Sequence, residues 1–189
     1  RAGGVSVGIN LNPNNACNWR CIYCQVPDLT RGGPPPLDLA LLERELDGFL
    51  RAAVAGDFMA TRVPAGSRRL VDLAFSGNGE PTSAREFPAA VEIAARVKAA
   101  HGLGRDIPLR LITNGSLLDR KSVQSGIAVL GGCGGEVWFK LDAGTAAGLA
   151  RINGTRARPE AVARRLACCA ELAPTWVQSC FFLIDGGAP

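Results

Sequence analysis

Five short apolar stretches alternate with longer amphipathic ones along this chain, and no other feature narrows the possible folds as far. Residues 5–11 read VSVGINL, where Val5, Val7, Ile9 and Leu11 alternate with Ser6, Gly8 and Asn10, a period-2 pattern that predicts a strand. LVDLAF (70–75), PLRLIT (108–113), EVWFKLD (136–142) and TWVQSCFFLI (175–184) read as the next four strands. Helical patterns lie between them. Asp38 stands where an N-cap would precede a helix carrying Leu41, Leu42, Leu46, Phe49 and Leu50. Further helices are expected over 85–100, within 117–130 and over 159–172. Strands that alternate with helices pair in parallel through crossover connections.

An open doubly wound sheet and a barrel both fit that rhythm. The two faces of each strand favour the barrel. One face is apolar: Val71, Leu73 and Phe75, then Val137, Phe139 and Leu141. The other is mixed: Asn10, then Asp72, Ala74 and Ser76, then Lys140 and Asp142. A doubly wound sheet carries apolar helices on both sides, whereas a mixed face suits a lumen that lines a site. The expected fold is therefore α/β, a partial parallel (βα) TIM-type barrel of about five units. Residues 1–189 form one domain of it. Five strands do not close a barrel, and the sequence stops at LIDGGAP as the fifth strand ends. The chain is expected to be a fragment that lacks a C-terminal portion.

A composition of 47% apolar and 20% charged residues is that of a soluble globular protein. The net charge of +4 permits an anionic substrate. No basic run interleaved with aromatics gives direct support to nucleic-acid binding. No apolar run is long enough for a bilayer, so no membrane partner is expected. The first residues, RAGGVSVGIN, lack the regions of a signal peptide. Seven cysteines in such a chain point to metal binding or catalysis in a reducing cytoplasm more than to disulfides.

Three of them, Cys17, Cys21 and Cys24, fall within ACNWRCIYCQ in the loop after the first strand. The ends of parallel strands are where α/β folds build their sites. Three thiolates fit a [4Fe–4S] cluster whose fourth iron is open to a small molecule. A structural zinc site needs a fourth ligand, and the single histidine, His101, is far along the chain. A non-catalytic zinc or redox-sensing module is the alternative reading.

Cys17-x3-Cys21-x2-Cys24, with Tyr23 before the last cysteine, resembles the signature of the radical S-adenosylmethionine (radical SAM) enzymes. FSGNGEPT (75–82) resembles the family's glycine-glutamate motif, and LITNGSLL (111–118), FKLDAGT (139–145) and RINGT (151–155) follow in the same register. The similarity is nearest to the wyosine-synthase-like and glycyl-radical-activating branch. It implies a full or partial (βα) barrel, and a [4Fe–4S] cluster on Cys17, Cys21 and Cys24 with S-adenosylmethionine chelated at the open iron. Reductive cleavage to a 5′-deoxyadenosyl radical, followed by hydrogen abstraction from a substrate, is the implied reaction. Gly77, Asn78, Gly79 and Glu80 would meet the methionine amine. Asn114, Lys140 and Asp142 would serve the ribose hydroxyls and the carboxylate, and Tyr23 would present its backbone to the adenine. The resemblance further implies an external electron donor of the flavodoxin or ferredoxin type. It leaves the substrate open among small molecules, RNA and protein.

Plainer readings stand beside these. GNGEPT could be a Gly-Pro turn that ends a strand; as a phosphate loop it lacks the third glycine and the Lys-Ser/Thr of such signatures. Lys140 and Asp142 could form a salt bridge in the lumen. Ser76 and Gln178 are expected to face inward. Cys133, Cys168, Cys169 and Cys180 read as small hydrophobes, His101 as a capping or surface residue, and the arginines of RINGTRARPEAVARR as a solvated helix face.

Overall fold

The computed structural model describes residues 3–183. Strand β1 (Val5–Ile9) is followed by two short strands, β2 (Ala16–Cys17) and β3 (Thr30–Arg31). Helices α1 (Leu39–Val54) and α2 (Phe58–Arg62) lead to β4 (Leu70–Phe75). Then come α3 (Phe87–Ala100), β5 (Leu109–Thr113), α4 (Lys121–Gly132), β6 (Glu136–Lys140), α5 (Ala146–Asn153), α6 (Pro159–Leu172) and β7 (Thr175–Gln178). The strands β1-β4-β5-β6-β7 form one parallel sheet in chain order. Helices α1, α3, α4 and α6 pack against one another in the same order. A sheet whose strands never reverse their order, lined by one row of helices, is the wall of an open barrel rather than a doubly wound sandwich.

The core lies between that row and the sheet. Leu73, Phe75, Leu109, Leu111, Val137 and Phe139 point into it from alternate strand positions and are fully buried. Leu46 and Leu50 of α1, Phe87, Val91 and Ala94 of α3, and Ile127 and Leu130 of α4 meet them. Asp38 caps α1, its carboxylate accepting from Leu41 N at 2.9 Å.

Several boundaries differ from the expected ones, each for a local reason. β1 stops at Ile9 because the Asn10 side chain turns back to accept from Asn12 N at 3.0 Å. Leu11 still reaches the core. α4 begins at Lys121 because Leu118 and Arg120 are held in turns by Gly115 O and Leu117 O. β7 ends at Gln178, and Cys180 N donates instead to Asp142 Oδ1 at 3.0 Å. Ile184, the last residue of the expected fifth strand, lies outside the described residues. The pattern gave no sign of α2, of α5 or of the β2–β3 pair.

Candidate active site

The site grows from the 17–31 loop. Pairing of β2 with β3 closes this loop into a ring: Thr30 N donates to Asn15 O and Gly32 N to Cys17 O, both at 3.0 Å. Asn15 and Asp28 take the left-handed conformation that short polar side chains tolerate, turning the chain at either end of the ring. The far side of the ring is tied to the end of α5. Arg20 N donates to Asn153 O at 3.0 Å and Ile22 N to Ile152 O at 2.8 Å. These are carbonyls that a helix C-terminus leaves without intrahelical partners. Gly154 ends α5 at φ +60, and a Cβ there would sit 2.8 Å from Arg20 O.

The loop after β4 presses against the base of this ring. A Cβ on Gly77 would lie 2.4 Å from Asn10 Oδ1, and one on Gly79 would lie 2.1 Å from Ala16 O. Asn78 N donates to Asn10 Oδ1 at 3.2 Å, Asn78 Nδ2 to Asn15 Oδ1 at 2.7 Å, and Asn12 Nδ2 to Ala16 O at 3.0 Å. Glu80 is buried, and its carboxylate clasps the end of β5. Oε1 accepts from Thr82 N (3.1 Å), Thr82 Oγ1 (2.6 Å) and Thr113 Oγ1 (2.6 Å), and Oε2 from Asn114 N (2.7 Å). Burial raises the Glu80 carboxyl above its usual range, and these donors pull it back.

Cys17, Cys21, Cys24, Tyr23, Gly77, Asn78, Gly79, Glu80, Asn114 and Lys140 all line one cavity of about 230 Å³. Ser76 lines it too, with Trp19, Val26, Leu29 and Ile112 as the apolar part of the wall. Gln178, level with Lys140 in the β6–β7 register, is on the same inner face but lines a neighbouring hollow with Trp138 and Trp176. Burial raises the Cys17 and Cys21 thiols, opposed at Cys17 by the Trp19 backbone and at Cys21 by Asn153. Among the described residues no three His, Cys, Asp or Glu side chains close on a single metal ion. The three sulfurs share one partly apolar cavity wall, and three thiolates are the donor set that iron–sulfur clusters take from a protein.

Asp142 is not part of the cavity wall. Its Oδ2 accepts from the Tyr23 hydroxyl and, at 2.7 Å, from Asn153 Nδ2. Burial first, then this bond, raises the Tyr23 phenol. Lys140 Nζ stands 4.8 Å from the Tyr23 ring centroid. Asn114 Nδ2 donates to Asn18 Oδ1 at 3.0 Å, and its Oδ1 accepts from Ser116 N at 3.0 Å. Sequence reasoning gave no site role to Asn12, Asn18, Thr113 or Asn153. The one available signal was Asn153 standing directly before Gly154 in RINGT. Of the other cysteines, Cys169 is buried and accepts from Thr175 Oγ1 at 3.5 Å.

A family model described as the radical SAM superfamily matches residues 11–186. The fold is shared with TYW1 carrying a lysine-pyruvate adduct, at TM-score 0.59 and 19% identity over 91% of this chain and 54% of that one. It is shared with Streptococcus suis SuiB bound to precursor peptide SuiA, at 0.61 and 15% over 94% and 33%. It is also shared with anSMEcpe with bound AdoMet, at 0.58 and 17% over 92% and 43%. Among curated proteins, GTPase Obg of Brachyspira hyodysenteriae is 25% identical over 126 residues, 67% of this chain and 16% of that protein. The chain thus spans about half or less of the length of the relatives it matches. The family's cofactors are a [4Fe–4S] cluster and S-adenosylmethionine. With a match that starts ahead of the three cysteines and runs past the last strand, the chain belongs to the radical SAM superfamily.

Proposed function

We propose that this chain holds a [4Fe–4S] cluster on Cys17, Cys21 and Cys24, binds S-adenosylmethionine beside it, and starts radical chemistry on a substrate. One observation carries the reading: the three sulfurs, the Gly77–Glu80 turn, Asn114 and Lys140 line a single cavity at the carboxyl ends of parallel strands. When bound, the two cofactors supply reductive cleavage of a sulfonium to a 5′-deoxyadenosyl radical that takes a hydrogen atom from the substrate.

The remaining work falls to the chain. Cys17, Cys21 and Cys24 would hold the cluster through their thiolates and leave it open to a small-molecule ligand. The backbone of Gly77, Asn78 and Gly79 offers carbonyls to the amine of methionine. Lys140 supplies a positive charge for the carboxylate, and Asn114 a polar edge for the ribose. Tyr23 contributes backbone to the adenine side, and its ring fixes Lys140. Trp19, Val26, Leu29 and Ile112 make the wall apolar, which excludes water and competing hydrogen donors. Glu80 and Asp142 act indirectly: Glu80 joins the glycine turn to β5, and Asp142 holds Tyr23 and Asn153. An external electron donor of flavodoxin or ferredoxin type completes the system, and seven free cysteines suit the cytoplasm. No helix among the described residues is long and apolar enough to cross a membrane.

The test is anaerobic reconstitution with iron and sulfide, followed by dithionite and S-adenosylmethionine. The expected result is a brown protein with roughly four irons and four sulfides that forms 5′-deoxyadenosine, and loss of both in Cys21→Ala. A loaded cluster that yields no 5′-deoxyadenosine defeats the reading. A colourless protein with a single zinc supports a metal-binding module instead.

A further inference from the structure

We propose that Asn153 is a positioning residue that tunes the reduction of the cluster by donating a side-chain hydrogen bond to the Cys21 sulfur. The inference rests on the cluster reading above and adds a residue to it. Asn153 Nδ2 lies 3.3 Å from Cys21 Sγ and 2.7 Å from Asp142 Oδ2, so its two N–H groups serve one sulfur and one carboxylate. The side chain has no solvent exposure. Turning the amide over would set its oxygen against a sulfur and a carboxylate, both rich in electrons, so the charges fix its orientation.

That orientation has a cost. Asn153 Oδ1 is buried and has no hydrogen-bond partner, and an unsatisfied buried carbonyl is destabilising. A residue needed only to end α5 and tie down the ring has no use for this cost. The backbone already does that work, through Arg20 N on Asn153 O and Ile22 N on Ile152 O, one on each side of Cys21. The side chain is therefore free for a separate task. Asp142 secures it: Oδ2 takes Asn153, and Oδ1 takes Cys180 N at 3.0 Å. Hydrogen bonds to ligating sulfurs are among the means by which proteins set cluster potentials. An N–H aimed at the sulfur favours the reduced, more negative state. Removing it makes one-electron uptake harder.

The test compares wild type with Asn153→Ala after anaerobic loading, using iron and sulfide content, circular dichroism and a redox titration followed by EPR. The variant is expected to keep its fold and its cluster and to be about tenfold less readily reduced, a fall of about 59 mV for one electron. Asparagine labelled with ¹⁵N in the side-chain amide should also give a hyperfine coupling in the reduced wild-type spectrum. If Asn153→Ala does not fold, that coupling decides: its presence supports the proposal and its absence overturns it. A loaded variant with an unchanged potential overturns the role of Asn153 and leaves the cluster reading intact. Wild-type protein that assembles no four-iron cluster defeats both.

Discussion

Gly79 shows what a single missing side chain does here. A methyl group at this position would come 2.1 Å from Ala16 O and 2.8 Å from Asn12 Cγ. Neither neighbour can move freely, since Ala16 lies in β2 and Asn12 is buried and bonded to Ala16 O. Gly79→Ala is therefore expected to destabilise the fold by about 1–3 kcal/mol and to lower the iron retained after reconstitution, because it pushes the glycine turn off the cysteine ring. Gly66→Ala, where a Cβ meets nothing within 4 Å, should change stability by about 0.5 kcal/mol at most. Equilibrium urea unfolding of both variants, with iron counted per folded chain, checks the pair. Equal effects would show that the close approach is unimportant. From the sequence the glycines of this turn are expected to meet a ligand, the methionine amine; in the fold the Cβ space at Gly79 is taken by Ala16 O and Asn12. The sequence could not say what approaches, since a ligand and a neighbouring loop exclude the same Cβ. Glu80 and Asp142 carry the same ambiguity. Their identity announces a polar role, but only the folded arrangement shows Glu80 with four donors and Asp142 outside the cavity.

The long helices are the most legible elements, because apolar stripes of three or four turns override local ambiguity. α6 occupies the expected 159–172, and α1 starts behind its expected cap. α5 was hidden because its eight residues sit among Gly and Thr that read as a loop, although Thr145 and Gly154 are in fact its two caps. Contacts between helices were hidden for a different reason: they join residues far apart in sequence. His101, which ends α3, places Nε2 2.8 Å from Asp47 Oδ1 of α1. The His101 hydrogen bond holds the Asp47 carboxyl below its usual range, against a smaller effect of burial, with Arg51 adding to it. A carboxyl lowered in the folded state stabilises above its unfolded pKa, ~3.9 for Asp, and that contribution fades as pH falls through the folded value. Asp47→Asn removes it. The Tm advantage of wild type over Asp47→Asn should be present above about pH 4 and shrink as pH falls below it. Thermal melts from pH 3 to pH 7 measure it, and an advantage that grows on acidification would contradict the assignment.

Across the whole molecule, the mixed strand face expected of a lumen becomes one polar chain that crosses the sheet. Ser6 of β1 donates to Asp72 of β4, Arg110 of β5 bonds both Asp72 and Glu136 of β6, and Glu136 also accepts from Trp138 and, at 3.0 Å, from Trp176 of β7. Strand parity foretold that such a face exists. It could not foretell which residues meet, because register between strands depends on the folding of the intervening helices. Burial alone would raise Glu136, but the donors Arg110, Trp138 and Trp176 hold it below the usual range. Asp72 has no solvent exposure, and both the Arg110 guanidinium and the Ser6 hydroxyl bond its carboxylate. Arg110→Met should cost about 3–5 kcal/mol, the penalty for removing one partner of a buried ion pair. Asp72→Asn in the same chain should recover part of that loss, because it removes the charge left behind. The network occupies the amino-terminal half of the strands and the cysteine cavity their carboxyl ends. Iron bound per folded molecule should therefore be the same in Arg110→Met as in wild type. Urea titrations of the two single variants and the double variant give the coupling. Additive losses would mean that Arg110 and Asp72 act independently, and that shape alone holds the inner face together.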